Sequence, residues 1–298
     1  MSRFHAMQVF VKVAETSGFA EAARQLNMSP PAVTRAVASL EDQIGARLFT
    51  RTTRTVKLTE AGTRYFDDCR RILADVAEAE AAAGGSYATP TGVLTVTASA
   101  LFGQDYIAPI LTDYLDENPD VHVRALFVDR ITNMVDEGID VGIRIGELAD
   151  SSFSAIRVGA VRRVVCGAPA YFERHGVPKH PSELAQHKII VSTTSWASLD
   201  WRFGGPQKPS VRIQPRLSFS TYGAVIKATV QGWGLARPLS YQIGQALIDG
   251  DLQTILSEYE EEPLPVHVVH PEGRRASAKV RAFVDLTVDR LRANRSIN

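Results

Sequence analysis

Polar side chains recur on one face of a short predicted helix near the N-terminus. If this helix starts at Ser29, Thr34 and Arg35 share its outer face with Pro30 and Pro31. An arginine can donate to a guanine edge, and a threonine can contact a base, a thymine methyl group or a phosphate. Recognition helices contact bases with residues near their N-terminal ends. The pattern therefore predicts DNA contacts by Ser29, Pro30, Pro31, Thr34 and Arg35.

Basic residues follow this helix in a segment that alternates like a β-hairpin. Residues 47–58 are rich in Thr, Arg, Phe and Val, which indicates two short strands. The hairpin contributes Arg51, Thr52 and Arg54, which suit flanking phosphates or the minor groove. Residues 22–58 hold six basic side chains against two acidic ones, whereas residues 59–84 hold three against six. Positive charge is thus concentrated at the predicted DNA contact, although the formal net charge of the chain is zero.

Three predicted helices position these side chains. Apolar residues at three- and four-residue steps predict one helix that ends near Ser17 and a second that ends at Leu26. Ser29 suits the N-cap of the third helix and Pro30 its first position, and this helix is expected to end near Ile44. Two short helices joined by a tight turn predict a helix-turn-helix. The alternative is a three-helix bundle with a solvated face.

A long helix with a regular apolar seam is predicted next. Thr59 suits its N-cap, and the helical period lasts to about Ala83. The seam consists of Tyr65, Cys69, Ile72, Val76, Ala79 and Ala83. This heptad spacing favours pairing with a second helix, which would bring two DNA-contacting heads to one palindromic site. Packing on its own domain is the alternative. Residues 84–91, rich in Gly, Ser, Thr and Pro, predict a hinge.

After the hinge, predicted strands alternate with predicted helices. The strands are expected at 93–97, 121–128, 141–145, 161–166, 188–192, 211–219 and 266–269. The helices are expected near 107–115, 131–135, 170–173, 221–231 and 277–292. This order implies a mostly parallel α/β sheet. The length of the segment fits two small lobes better than one.

Hydroxyl groups follow several of these strands. In open α/β sheets, ligands bind beyond the C-terminal ends of strands, and helix N-termini there favour anions. Together with arginines and aromatic rings, these hydroxyls predict a cleft for a small molecule with an anionic group such as a carboxylate. The predicted residues are Ser99, Ala100, Leu101, Phe102, Arg144, Thr193, Thr194, Ser220, Tyr222 and Arg237, with Phe127 and Trp196 as further lining. The alternative for each hydroxyl is plain helix capping.

Two N-terminal segments form specific motifs. Residues 19–41 are FAEAARQLNMSPPAVTRAVASLE, and residues 48–62 are LFTRTTRTVKLTEAG. Both resemble the DNA-binding signature of LysR-type transcriptional regulators. The resemblance in length and architecture extends over the whole chain, although its C-terminal part is carried by architecture more than by motif.

The resemblance implies an α/β protein overall. An all-α winged helix-turn-helix domain (1–58) and a linker, or dimerisation, helix with its hinge (59–91) would precede a two-lobed α/β effector domain of periplasmic-binding-protein type (92–298). Lobe I would comprise about 92–161 and 267–298, and lobe II about 162–266. The family implies a sequence-specific transcriptional regulator that binds double-stranded DNA at a near-palindromic operator as a homodimer or homotetramer. A small-molecule effector between the lobes would modulate it, with RNA polymerase as a further candidate partner.

Composition and motif searches narrow the other function classes. Cys69 and Cys166 have no metal-like spacing, the seven histidines form no HExxH-like pattern, and no GxSxG, Walker or Rossmann motif occurs. We therefore expect no catalytic residues, metal or cofactor. An enzyme or solute-binding protein whose N-terminal helices only dimerise is the alternative, and it needs a catalytic constellation or an export signal. The absence of an apolar run of about 20 residues and of a signal-like N-terminus predicts a cytoplasmic protein without membrane contact.

Overall fold

The computed structural model describes residues 2–51, 56–83, 89–148, 153–194, 198–205, 208–271 and 276–297. They form two compact units, Met1–Gly92 and Val93–Asn298. The first is helical with a small hairpin, and the second contains two groups of strands and helices. The predicted fold class is confirmed. Within the described ranges, no helix combines the length and apolar character that a bilayer-spanning segment requires.

The first unit begins with three helices in its described residues. They are α1 (Arg3–Thr16), α2 (Phe19–Gln25) and α3 (Pro30–Ile44). The Ser2 hydroxyl caps α1 by accepting from the His5 N–H at 3.2 Å. Asn27, between α2 and α3, has a φ angle of +52°, and Gly45, after α3, has one of +74°. Asn and Gly adopt this left-handed conformation at low cost, so these positions end one element and redirect the chain.

A hairpin and a long helix complete this unit. They are β1 (Phe49–Arg51), β2 (Val56–Leu58) and α4 (Glu60–Ala83). The two strands pair antiparallel, with Thr50 opposite Lys57. The Thr59 hydroxyl caps α4 by accepting from the Gly62 N–H at 2.9 Å. Gly62 allows a close approach, because a Cβ there would lie 2.0 Å from the Leu48 carbonyl oxygen.

The beginning of the predicted heptad seam belongs to this unit's own core. The ring of Phe10 lies 5.2 Å from that of Phe49 and 5.5 Å from that of Tyr65. Cys69 is fully buried in the same cluster. The interpretation of the seam as a pairing surface is therefore wrong for Tyr65 and Cys69, whose side chains pack within their own domain. Ile72 is 40% exposed, so pairing from Ile72 onward stays a prediction.

The second unit begins with the first lobe. Its first elements are β3 (Gly92–Ala98), α5 (Ala100–Phe102), α6 (Ala108–Glu117), β4 (Val121–Phe127), β5 (Val141–Ile145) and β6 (Ser154–Val161). A π-helical turn, Gly103–Ile107, joins α5 to α6. The helix predicted near residues 131–135 is wrong, because residues 131–133 are irregular and residues 134–138 form a turn. The Asn133 side-chain oxygen accepts from the Val135 N–H at 3.2 Å and so competes with helical hydrogen bonding.

The second lobe has several short strands around three helices. Its elements are β7 (Val165–Gly167), α7 (Pro169–His175), β8 (Ile190–Ser192), β9 (Asp200–Arg202), β10 (Ser210–Arg212), β11 (Leu217–Phe219), α8 (Tyr222–Val230), α9 (Gly244–Ile248) and β12 (Gln253–Ile255). The strand expected at 211–219 is two strands, β10 and β11. Pro215 lies between them, and proline cannot donate to a strand ladder.

The chain returns to the first lobe through β13 (Leu264–His270) and ends with α10 (Ala278–Arg292). The first lobe's sheet has the order β4-β3-β5-β13-β6. β3 and β5 are parallel, but β13 is antiparallel to both β5 and β6. The expectation of a mostly parallel sheet is therefore wrong for the returning strand β13, which is antiparallel to both of its neighbours.

Candidate functional site

The start of α3 has an unusual hydrogen-bonding pattern. Ser29 occupies the N-cap position, but its side chain makes no capping bond, contrary to the prediction. An N-cap side chain accepts from the second or third helical N–H. The second position is Pro31, which has no N–H, and the N–H of Ala32 donates to the Ser29 carbonyl at 2.9 Å. The Val33 N–H donates to the same carbonyl at 3.1 Å, so none of residues 30–33 has an unbonded backbone N–H.

The outer face of α3 carries exposed polar side chains. The Thr34 hydroxyl donates to the Pro30 carbonyl at 3.0 Å, and Arg35 Nε donates to the Pro31 carbonyl at 3.4 Å. These local bonds run along the helix and leave the guanidinium of Arg35 at the surface. The opposite face is buried in the unit's core through Val33, Ala36, Val37 and Leu40. The helix is thus amphipathic, with its polar face toward solvent.

A cavity of about 350 Å³ lies beside Arg35. Ser39 and Gln43 line it with Arg35, and the Gln43 amide donates to the Ser39 hydroxyl at 3.3 Å. The sequence reasoning missed both residues. Their spacing of four and eight residues from Arg35 places them on one helix face, which is the signal that could have found them.

A buried carboxylate joins α3 to the hairpin. Glu41 is 3% exposed, and its Oε1 accepts from the Leu48 N–H at 2.7 Å and the Phe49 N–H at 3.1 Å. Arg47 contacts the other oxygen at 3.3 Å. From the α4 side, the Thr59 hydroxyl donates to the Arg47 carbonyl at 2.8 Å. The base of the hairpin is therefore fixed from two helices. Thr52, Arg54 and the side chain of Arg51 lie outside the described residues.

The first predicted effector residues are already engaged within the protein. The hydroxyls of Ser99 and Tyr241 lie 3.2 Å apart, and the Ala100 N–H donates to an Asp129 carboxylate oxygen at 2.9 Å. This helix start thus already holds a carboxylate of the chain itself. Leu101 is partly buried against the first lobe's core, and Phe102 is fully buried within it. Phe102 therefore has no surface to offer a ligand.

The other predicted positions are scattered. Arg144 donates to the carbonyl and hydroxyl of Thr132 at 2.9 and 2.6 Å. Thr193 donates through its N–H to the Phe219 carbonyl at 2.8 Å, and the Thr194 N–H donates to the Ser192 hydroxyl at 3.2 Å.

The start of α8 is capped by a neighbour of Ser220. Ser220 is exposed, and the Thr221 hydroxyl caps α8 by accepting from the Ala224 N–H at 3.5 Å. Phe127 packs against the first lobe's core, and Trp196 lies outside the described residues.

A cavity of about 400 Å³ in the second unit is lined by Tyr222 and Arg237, and by no other predicted effector residue that the structure describes. It lies among β8, β9, the first turn of α8 and the segments that connect the two lobes. Its polar and aromatic lining includes Arg163, Ser192, Trp201, Tyr222, Arg237 and Glu261. The sequence reasoning missed the other four, because they come from segments far apart in the chain.

Arg237 is the most buried charge of this cavity. It is 8% exposed, and its guanidinium carbon lies 4.5 Å from the Phe203 ring centre and 5.7 Å from that of Trp201. Its Nη2 donates to the Arg202 carbonyl and, at 3.0 Å, to Glu261. Its Nε has no hydrogen-bond partner in the described part of the chain. Burial lowers the pKa of Arg237 to about 10, with Glu261 acting in the opposite direction.

Two neighbours complete the electrostatics of the cavity. Arg163 Nε lies 3.8 Å from the same Glu261 oxygen that Arg237 contacts. Burial raises the pKa of the Tyr222 hydroxyl, so it remains a neutral donor at physiological pH. Three arginines, two carboxylates and a phenol thus line the cavity, and two of the arginines, Arg163 and Arg237, share the Glu261 carboxylate. This arrangement suits an anionic ligand.

The described residues show neither a metal-binding cluster nor a reactive cysteine. The described residues contain no group of three or more His, Cys, Asp and Glu side chains suited to a metal ion. Cys69 and Cys166 are both free and buried. Burial raises the pKa of Cys166 to about 12 and also raises that of Cys69. Neither has the exposed, low-pKa character of a reactive thiol.

The sequence matches two family models. Residues 4–63 match "Bacterial regulatory helix-turn-helix protein, lysR family", and residues 88–292 match "LysR substrate binding domain". The chain is 32% identical to the HTH-type transcriptional activator AaeR of Escherichia coli, over 97% of this chain and 94% of that protein. It is 31% identical to the HTH-type transcriptional regulator CrgA of Neisseria meningitidis, over 97% of each.

Solved structures show the same architecture. CrgA of Neisseria meningitidis, a LysR-type transcriptional regulator, is similar with a TM-score of 0.63 at 28% identity, covering 97% of this chain and 99% of that one. The full-length AphB of Vibrio cholerae shares the fold with a TM-score of 0.61 at 24% identity, over 97% and 99%. The matched motifs, the helix-turn-helix and the second unit together show that this chain belongs to the LysR-type transcriptional regulators, which bind DNA through the N-terminal domain and a small-molecule effector through the C-terminal one.

Proposed function

We propose that α3 and the hairpin bind an operator through the predicted side chains. These are Ser29, Pro30, Pro31, Thr34 and Arg35 on the helix and Arg51, Thr52 and Arg54 on the hairpin. The observation that carries the proposal is the amphipathic character of α3, whose apolar face is buried while the guanidinium of Arg35 remains at the surface. Because the first turn has no unbonded N–H, phosphate contacts fall to the basic side chains, and affinity should decrease steeply with salt.

We further propose that two chains pair through the exposed part of α4 and bind a near-palindromic operator as a homodimer or homotetramer. One recognition helix contacts too few bases for selectivity, whereas two heads one helical turn apart contact two half-sites. RNA polymerase is the proposed further partner at the promoter. The chain would act in the cytoplasm and without catalysis.

The proposed effector is a small organic anion in the cavity beside Arg237 and Tyr222. We place the effector here rather than beside Ser99, Phe102 and Arg144, because their polar groups or ring are engaged within the first lobe. The effector domain would convert binding there into a change in operator binding.

The test is binding to a DNA fragment from the chain's own promoter region, measured by fluorescence anisotropy against a scrambled duplex. Arg35→Ala should weaken specific binding by about 5- to 150-fold, the equivalent of about 1–3 kcal/mol for a lost base contact. Arg64→Ala is the matched control, because Arg64 is exposed on the same unit and pairs with Glu60 at 3.6 Å. Equal affinity of Arg35→Ala and wild type, or equal affinity for both duplexes, would refute the assignment.

A further inference from the structure

In the described chain, the guanidinium of Arg237 has one donor with hydrogen-bond partners, Nη2, beside one without, Nε. In an arginine, Nε and Nη2 donate side by side and fit the two oxygens of one carboxylate. Here, Glu261 contacts Nη2 alone, at 3.0 Å, and Nε has no partner among the residues that the structure describes. A buried donor without an acceptor destabilises the folded chain. An acceptor that bonds to Nε and Nη2 together would satisfy the donor that is buried and unpaired among the described residues.

Glu261 is a weakly held counterion. Its carboxylate is 39% exposed and contributes one oxygen to Arg237 and, at 3.8 Å, to Arg163. The second lining carboxylate, Asp200, lies 3.7 Å from Arg212, which does not line the cavity. Arg163 and Arg237 therefore share a single, partly solvated carboxylate. A ligand carboxylate that bonds to both Nε and Nη2 would compete effectively with it.

We propose that the cavity binds a ligand through one carboxylate, which occupies Nε and Nη2 of Arg237 and displaces Glu261 from this arginine. The inference rests on the proposed effector role of the cavity and adds the chemical class of the ligand and a mode of regulation. Glu261 lies on the segment between the second lobe and β13. Its displacement thus removes an ion pair between the second lobe and a connection to the first.

The experiment uses benzoate and its neutral analogue benzamide, titrated into the full-length protein by isothermal calorimetry. Benzoate should bind, and benzamide should bind at least about 10-fold more weakly, because it lacks the charge that the arginine selects. Glu261→Gln should bind benzoate about 10-fold more tightly, since it removes the competing charge and keeps the shape of the side chain. Asp113→Asn is the matched control for general loss of negative charge, because Asp113 pairs with Arg290 at 2.7 Å and does not line the cavity. Its affinity should remain within about 3-fold of wild type.

Four outcomes would overturn the proposal. They are equal binding of the two probes, no benzoate binding to wild type, no gain in Glu261→Gln, and an equal gain in Asp113→Asn. Arg237→Gln should lose benzoate binding, with its circular dichroism spectrum reporting that it is folded. Operator binding is measured on the same preparations. A chain that binds its operator but fails the benzoate test contradicts only the ligand inference, whereas loss of operator specificity contradicts the proposed function.

Discussion

Replacing Glu41 with alanine tests how the recognition helix is connected to the hairpin. The carboxylate is 3% exposed and is the acceptor for two backbone donors, the N–H groups of Leu48 and Phe49, at 2.7 and 3.1 Å. Both of these residues are buried. The substitution leaves the two N–H groups without this acceptor at the point where the hairpin leaves α3.

The expected loss of stability follows from these two bonds. A buried donor that loses its acceptor costs about 1–3 kcal/mol, so two cost about 2–6 kcal/mol. Water entering the space that the side chain leaves should offset part of this, and we expect a loss of about 2–4 kcal/mol in the free energy of unfolding. The contact with Arg47, which is 80% exposed, contributes less than about 1 kcal/mol.

The chain allows the two units to be followed separately during urea unfolding. All three tryptophans, at positions 196, 201 and 233, are in the second unit, so fluorescence reports that unit alone. Far-ultraviolet circular dichroism reports the helices of both. Glu41→Ala should shift part of the dichroism transition to lower urea and leave the fluorescence transition in place.

Glu41→Gln is the control, because the amide oxygen still accepts from both N–H groups. It should lose less than about 1 kcal/mol, the value of the exposed Arg47 contact. If Glu41→Ala unfolds at the wild-type urea concentration, or if Glu41→Gln is as unstable as Glu41→Ala, acceptance from the two N–H groups is not what stabilises this junction.

Three further predictions concern α4, the thiols and the cavity. Ile72→Glu places a charge on the exposed part of the seam and should increase the dissociation constant of the homo-oligomer in sedimentation equilibrium, and an unchanged association would contradict pairing there. Cys166, with its pKa raised to about 12, should resist iodoacetamide at pH 7.5 in the native chain and react only in urea, as judged by peptide mass spectrometry. Arg237→Met should raise the unfolding free energy of the second unit at pH 7 by about 1–3 kcal/mol. The folded-state pKa of about 10 lies below the ordinary value of 12.5, so burial of the charged arginine opposes folding at every pH below about 10. An unchanged or lower urea midpoint of the tryptophan fluorescence transition would contradict the expected gain in stability.

The DNA-binding head was predictable because its signals are local. A helix start at Pro30, its end at Ile44 and the hairpin that follows depend on residues within a few positions of each other. The failure at Ser29 is also local, because Pro31 removes one N–H and the Ser29 carbonyl takes the other. The sequence alone cannot show whether the Ala32 N–H donates to the side-chain oxygen or to the carbonyl oxygen of Ser29.

The cavity was harder to predict because its lining depends on tertiary structure. Arg163, Ser192 and Glu261 come from two connecting segments and a short strand that lie together only when the second lobe is folded. In the sequence, a capping hydroxyl and a ligand-binding hydroxyl have the same pattern. The two predicted arginines also have different surroundings in the folded chain. Arg237 lines the cavity, whereas Arg144 donates to Thr132.

The unused donor of Arg237 has a consequence for how an effector could act on the two lobes. A ligand shifts an equilibrium between two arrangements only by the difference between its affinities for them. A carboxylate that binds both donors gains most in an arrangement where Glu261 is displaced and least where Glu261 holds Nη2. If operator DNA also favours one of these arrangements, the two binding events are coupled. DNA must then change the affinity for the ligand by the same factor by which the ligand changes the affinity for DNA. Burying Arg237 without a complete partner costs free energy. A ligand that completes the pairing removes this cost, and the free energy gained would shift the equilibrium between the arrangements of the lobes.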